Sequence, residues 1–366
     1  TAFLSMWIAN VTAALLMLPI GMALISKEEA APEQKSSFGT ALMLGIAYSA
    51  SIGGTATLIG SPTNMIFSGV LTKMFPSAPS VSFYDWFIIG FPLAVIFLPL
   101  VWFFLIRFFK VTGSIQGSKE LIKSEIDLLG RISAGEKRVL VIFILTSLAW
   151  IFREEIVIDS FIIPGWSGIL GLGKFAHDST VGMSAAMLLF MTPSGNGSRL
   201  LTWKAAGQIP WGVGVIVGGG YAMASSFKVT GLADWIGNQL AFISSYPMFL
   251  VLVIVVSCIL LFTEMNSNTA TANIFLPILA SIAVAGSTNP LLLMIPATFA
   301  CSFVFIMPAG TGPNTVIFGS NHVTVPEMAR AGIWLKLFSM VFLPVILYIL
   351  IRLVWGMEKA LPSWAM

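Results

Sequence analysis

Long apolar stretches separated by short polar breaks run along almost the whole chain. The apolar runs fall at roughly 85–107, 139–152, 180–193, 210–225, 247–263, 270–286, 291–307 and 332–355. Several approach the ~20 residues that a helix needs to cross the hydrocarbon of a bilayer. Backbone groups in lipid are satisfied only within helices or closed barrels, and unbroken apolar runs exclude the alternating pattern of a barrel strand. The pattern predicts an all-α polytopic protein that spans the lipid bilayer.

The polar breaks come in pairs. The stretch Asn266-Ser267-Asn268-Thr269-Ala270-Thr271-Ala272-Asn273-Ile274-Phe275-Leu276-Pro277-Ile278 has a degraded counterpart at the start of the chain. Laying Asn10 on Asn268 puts Ser5 on Thr263, Ala9 on Ser267, Val11 on Thr269, Leu18 on Leu276, Pro19 on Pro277 and Ile20 on Ile278. A second break follows each copy: Gly60-Ser61-Pro62-Thr63-Asn64 answers Gly310-Thr311-Gly312-Pro313-Asn314, and both run into Ile-Phe (Ile66-Phe67, Ile317-Phe318). Matching interruptions in two halves of an apolar chain point to the binding site of a transporter for a small solute.

On this reading residues 1–108 are the remainder of a first inverted repeat, 109–136 a cytoplasmic linker, 137–355 the second repeat and 356–366 a C-terminal tail. About 130 residues of the second repeat precede Asn268, from Lys137 onward, against nine before Asn10. The expectation is that membrane helices at the front of the first repeat lie outside this sequence. Residues 114–138 mix Leu121, Ile122, Ile126, Leu128 and Leu129 with charges, which suits an amphipathic helix along the headgroups or a solvated linker.

Composition agrees. Hydrophobic residues make up 57% and charged residues 10% of the chain, with a mean hydropathy of +0.93, which leaves no polar coat for a soluble domain of this length. The formal charge of +3 gives no reason to expect a nucleic-acid partner. Its placement is more telling: the loops near 27–38, 107–138, 194–204 and 320–336 hold 13 of the 19 Lys and Arg, Lys336 among them, and so are expected on the cytoplasmic side of what would be a bacterial inner membrane.

The chemistry of enzymes is missing. Cys258 and Cys301 sit in apolar runs and read as buried, inert thiols, and His177 and His322 stand alone in loops. There is no Walker loop or GxGxxG, and Gly218-Gly219-Gly220 reads as a helix-packing run. The chain is therefore expected not to be an enzyme and not to be driven by ATP. Glu264 is the one acid placed inside the membrane zone, where it either holds backbone of the hairpin by hydrogen bonds or binds an ion.

The runs 247–263 and 270–286 flank Ser267-Asn268-Thr269, and neither is long enough to span comfortably, so they predict a re-entrant hairpin with the triplet at its tip. At such a tip hydroxyls, an amide and helix N-termini can receive carboxylate oxygens, and carbonyls freed by the breaks can coordinate a hard cation such as sodium.

These residues resemble the divalent anion:sodium symporters, carriers of dicarboxylates, citrate or sulfate. The resemblance rests on Ser267-Asn268-Thr269, on the two breaks Gly60–Asn64 and Gly310–Asn314, on Met17-Leu18-Pro19-Ile20, and on Phe318-Gly319-Ser320 and Ala329-Arg330-Ala331-Gly332. It implies a homodimer of inverted repeats, each with a re-entrant hairpin and a broken helix, working by an elevator motion. It also implies that Asn10, Ser61, Ser267, Asn268 and Thr311 face a small dianionic substrate, with Thr269 beside them. One sodium would sit near Ser5, Asn10 and Gly60, the other near Thr263, Asn266, Asn268 and Gly310.

Two features depart from the family pattern. Its first Ser-Asn-Thr reads Ala9-Asn10-Val11 here, which removes two hydroxyls and bears on the first sodium site, and Gly312 replaces a usual proline. A hydrogen bond to a charged group is worth ~1.5–3 kcal/mol, so the first change can redirect recognition at that end. The function expected is sodium-coupled symport of a C4-dicarboxylate such as succinate, malate or fumarate. The alternatives are sodium-independent dicarboxylate exchange, symport of citrate or sulfate, and a non-transporting anion sensor.

Overall fold

The computed structural model describes residues 1–28, 37–111, 126–127, 130–158, 161–173, 175–208, 212–240, 242, 246–357 and 359–365. Most of the expected linker, and with it Lys119 and Lys123, lies outside the described residues, as does Lys35. The chain forms two compact units, one of residues 1–81, 86–114 and 212–366 and the other of residues 82–85 and 115–211.

The first unit carries α1 (Ala2–Ser5), α2 (Asn10–Glu28), α3 (Ser37–Gly54), α4 (Pro62–Met74) and all but the first turn of α5 (Phe83–Phe108). The second unit supplies α6 (Ala134–Ile151) and α7 (Asp178–Met191). The chain then returns to the first unit with α8 (Gly212–Val229), α9 (Leu232–Leu240), α10 (Met248–Met265), α11 (Asn268–Ala285), α12 (Leu291–Ser302), α13 (Gly312–Phe318) and α14 (Val325–Trp355). By length and composition α5, α10, α11 and α14 can each cross a membrane. The hairpin arms α10 and α11 are 18 residues each, or ~27 Å at 1.5 Å per residue, one residue longer than the apolar runs that predicted them and just short of the ~30 Å hydrocarbon core.

Local sequence sets the helix ends. The two long helices that come one helix after the breaks, α5 and α14, start in the same way. Ser82 N–H and Oγ donate to Asp85 Oδ2 at 2.9 and 2.7 Å, and Thr324 N–H and Oγ1 donate to Glu327 Oε2 at 2.8 and 2.6 Å. Each pair satisfies orphan donors of a helix start. Gly356, at φ 57°, closes α14 in the left-handed conformation that glycine adopts without strain.

Within the first unit α2 packs on α3 and α11 on α12, and then the halves interleave. α4, which follows the first break, lies on α11 and α12, while α13, which follows the second, lies on α2 and α3. Aromatic rings fill the centre: Trp86 stacks on Phe299 at 4.9 Å, Phe97 meets Phe303 at 4.9 Å, and Tyr48 meets Phe305 edge-on at 5.0 Å. Cys301 is buried as expected, but Cys258 is exposed on α10. Lys336 corrects the loop assignment outright: it lies inside α14 and is 2% exposed.

In the second unit α6 packs on α7. Ser133 N–H donates to Glu136 Oε2 at 2.7 Å, and Glu136 N–H donates back to Ser133 Oγ at 3.2 Å, which starts α6. This unit also departs from an all-helical reading, because β1 (Ile156–Ile158) pairs antiparallel with β2 (Phe161–Ile163), Ile156 opposite Ile163. Both are runs of β-branched and aromatic residues, which favour extended pairing.

Candidate functional site

The site is assembled in the first unit, where two helix breaks meet two helix starts. The first break runs from the end of α3 at Gly54 to the start of α4 at Pro62; the second runs from the end of α12 at Ser302 to the start of α13 at Gly312. An asparagine pins each one. Asn64 Nδ2 donates to the carbonyls of Gly54 (3.1 Å) and Thr57 (2.8 Å), and Asn314 Nδ2 donates to those of Val304 (3.3 Å) and Met307 (3.1 Å). Every group of the first set lies 250 residues before its counterpart, 64 and 314, 54 and 304, 57 and 307. Only a carboxamide supplies two N–H donors at this length without a charge, and both asparagines are fully buried. Buried carbonyls freed by a break need such a partner.

The breaks differ in what closes them. In the first, Thr55 and Ala56 N–H donate to the Ile52 and Gly53 carbonyls at 3.1 and 3.0 Å, and the Trp86 indole donates to the Thr55 carbonyl at 2.9 Å. In the second, the Glu264 carboxylate accepts the N–H groups of Phe305 (2.9 Å), Ile306 (3.1 Å) and Met307 (3.2 Å). Lys336 Nζ lies 2.6 Å from Glu264 Oε1 and donates to the Leu260 and Phe303 carbonyls at 2.9 and 2.6 Å. Glu264 thus holds backbone, but that of the second break rather than of the hairpin.

Asn10 and Asn268 begin α2 and α11. Asn10 is 9% exposed and receives Ser5 Oγ at 2.8 Å; the same hydroxyl lies 2.6 Å from the Ala50 carbonyl oxygen, so one proton faces two acceptors. A Cβ on Gly60 would come within 2.6 Å of the Gly54 carbonyl oxygen and 3.0 Å of that of Ser5. Ser5, Asn10 and Gly60 are therefore brought together around oxygens, the donor set a sodium ion takes. On the other side Thr263 Oγ1 donates to the Cys301 carbonyl at 2.9 Å, and a Cβ on Gly310 would lie 3.5 Å from the Glu264 carbonyl oxygen. Thr263 and Gly310 are buried, whereas Asn266 is exposed with its amide turned back to the Phe262 carbonyl at 3.4 Å.

The remaining candidates divide by exposure. Ser267 is exposed and Asn268 and Thr269 are half-buried at the start of α11; Asn268 Oδ1 accepts the Thr269 N–H at 3.1 Å. Thr311 is buried and accepts the Asn314 N–H at 3.4 Å. Ser61 is fully buried, its hydroxyl 2.8 Å from that of Thr63. The two departures from the family pattern meet: a Cβ on Gly312 would fall 2.1 Å from Val11 Cγ2. Glycine at 312 leaves the space that the valine fills.

Sequence reasoning quoted Asn64 and Asn314 but gave them no role, although their recurrence at one place in both breaks was the signal. It placed Lys336 in a cytoplasmic loop, although its position inside the apolar run 332–355 was the signal that it is buried. The profile of a family described as the sodium:sulfate symporter transmembrane region matches residues 1–359. The chain belongs to this divalent anion:sodium symporter family. Among similar members is the sodium-dependent dicarboxylate transporter SdcS of Staphylococcus saprophyticus, 36% identical over 373 residues that cover 99% of this chain and 70% of the relative. Another is the SdcS of Staphylococcus aureus, 36% identical over 369 residues covering 98% and 69%. Membership in this symporter family places the apolar helices in a membrane.

Proposed function

We propose that the protein carries a C4-dicarboxylate together with sodium across a bacterial inner membrane. The observation that carries this reading is the matched pinning of the two breaks by Asn64 and Asn314 beside the starts of α2 and α11. The same hydrogen bonds at a constant sequence interval support two inverted repeats that meet at a shared site. Ser267, Asn268 and Thr269 hold one carboxylate at the start of α11, where the helix dipole favours an anion. Asn10, Ser61 and Thr311 serve the other end. One sodium is held by Ser5, Asn10 and Gly60, and a second by Thr263, Asn266, Asn268 and Gly310. The resemblance supports a homodimer in which the unit bearing these residues moves as an elevator against the rest.

The names of the SdcS relatives support both dicarboxylate and sodium. The test is radiolabelled succinate uptake by the full-length protein in proteoliposomes, with an inward sodium gradient or with potassium in its place, and with or without internal succinate. Sodium-dependent accumulation into empty vesicles is expected. Uptake that ignores sodium but requires internal dicarboxylate would replace symport by exchange, and absence of succinate uptake would move the reading to citrate or sulfate.

A further inference from the structure

Three buried hydroxyls form a chain that links the two halves at one point. Thr63 Oγ1, at the start of α4, lies 2.8 Å from Ser61 Oγ and 2.9 Å from Ser302 Oγ, the last residue of α12. Thr63 Oγ1 is also 3.3 Å from Asn64 Oδ1. Ser61 and Thr63 are fully buried and Ser302 is 1% exposed, so water does not compete for these bonds. Ser61 is the N-cap of α4, yet its hydroxyl makes no cap bond, unlike that of Thr311 in the other half. Its side chain is committed to Thr63 instead.

This link has no counterpart across the internal repeat. At the same interval of 250 residues that relates the pinning bonds, Thr63 answers to Pro313 and Ser302 to Ile52, and neither carries a hydroxyl. Asn314 Oδ1 accordingly has no hydrogen-bond partner among the described residues. The bridge runs in one direction only, from the first break to the residue that opens the second. The neighbour of Ser302 is Cys301, whose carbonyl receives the Thr263 hydroxyl.

We infer that Thr63 and Ser302 are positioning residues that couple the cation held at Thr263 to the substrate-side residue Ser61. The inference rests on the function proposed above. A cation that fixes the Thr263 oxygen fixes the Cys301–Ser302 peptide it is bonded to, and through two short hydroxyl contacts fixes Ser61. Proton counting gives the link a direction. Three hydroxyls carry three protons and share two bonds, so one proton is left over, which either Thr63 gives to Asn64 Oδ1 or an end hydroxyl gives outward. When Ser61 donates outward to a carboxylate, Thr63 must donate to Ser61 and Ser302 to Thr63, and bonds so aligned strengthen one another.

The experiment measures half-saturating succinate for uptake at low and at high sodium in proteoliposomes of the full-length protein. Thr63→Val and Ser302→Ala are each expected to shrink the sodium-dependent shift in half-saturation by about threefold to tenfold, the worth of one net hydrogen bond. Maximal rate at saturating sodium is expected to stay near wild type, while the melting temperature falls by a few degrees because a buried hydroxyl partner is left unpaired. The double variant is expected to be no worse than either single one, and Thr63→Ser to restore the shift. A purely packing role would lower stability without moving the shift. Should Thr63→Val fail to fold, Ser302→Ala, which trims a single buried oxygen, carries the same test. A wild-type shift in folded Ser302→Ala or Thr63→Val overturns the inference while sodium symport stands. Absence of any sodium shift in the wild-type protein overturns the symport reading and the coupling with it.

Discussion

Replacing Lys336 by methionine removes one charge from the second break while keeping most of the apolar stem. The ammonium is 2% exposed, 2.6 Å from Glu264 Oε1, and bonded to the Leu260 and Phe303 carbonyls. The three N–H groups that Glu264 accepts are present before and after the change, so they offset nothing. What is lost is the counter-charge of a buried carboxylate, which costs ~3–5 kcal/mol. At roughly 2 °C per kcal/mol for a chain of this size, the unfolding midpoint in detergent, followed by tryptophan fluorescence, is expected to drop by about 6–10 °C. Adding Glu264→Gln should recover part of that loss, because no charge remains unpaired and the amide oxygen still accepts the Ile306 and Met307 N–H groups, although the Phe305 N–H loses its acceptor. Adding Glu264→Met instead should recover less than glutamine, because the buried Phe305 N–H and the part-buried Ile306 and Met307 N–H groups all lose their acceptor. A Lys336→Met protein that melts within 2 °C of wild type, or a glutamine double variant no better than the single one, would refute this account of the break.

Asn268→Ala is expected to abolish succinate uptake with the melting temperature unchanged, since Asn268 is half-buried and its side chain bonds only locally; normal uptake would remove it from the site. Asn314→Leu strips the donor from the buried Val304 carbonyl and the part-buried Met307 carbonyl and should cost ~2–6 kcal/mol, with Asn64→Leu similar, as read by melting; a large effect at only one of them would argue against equivalent breaks. Gly312→Ala is expected to cost ~1–3 kcal/mol by overpacking against Val11 and to be rescued by Val11→Ala in a double-mutant cycle of stability; additive losses would show that the two positions do not touch.

The apolar runs alone determined a helical membrane protein, because backbone in lipid has no other open solution. The repeated breaks pointed to the proposed site, because unwound polar backbone at membrane depth is tolerated only where protein or a water-filled cavity surrounds it. The motifs carried the family, which the comparison then established. Sequence could not show that Val11 and Gly312 fill each other's space, since they stand 301 residues apart and only the crosswise packing of α13 on α2 joins them. Nor could it give Lys336 its partner. A lysine two residues from a tryptophan near a loop reads as surface by position, and only the fold turns it inward to a glutamate on α10. The hydroxyl chain through Thr63 and Ser302 is likewise a tertiary fact. Serine and threonine are common and reveal nothing by type, and what makes these three act together is burial that brings their hydroxyls within bonding distance of one another. Local pattern decides which segments are helical and where they break; which breaks face each other, and through which atoms, is decided by packing.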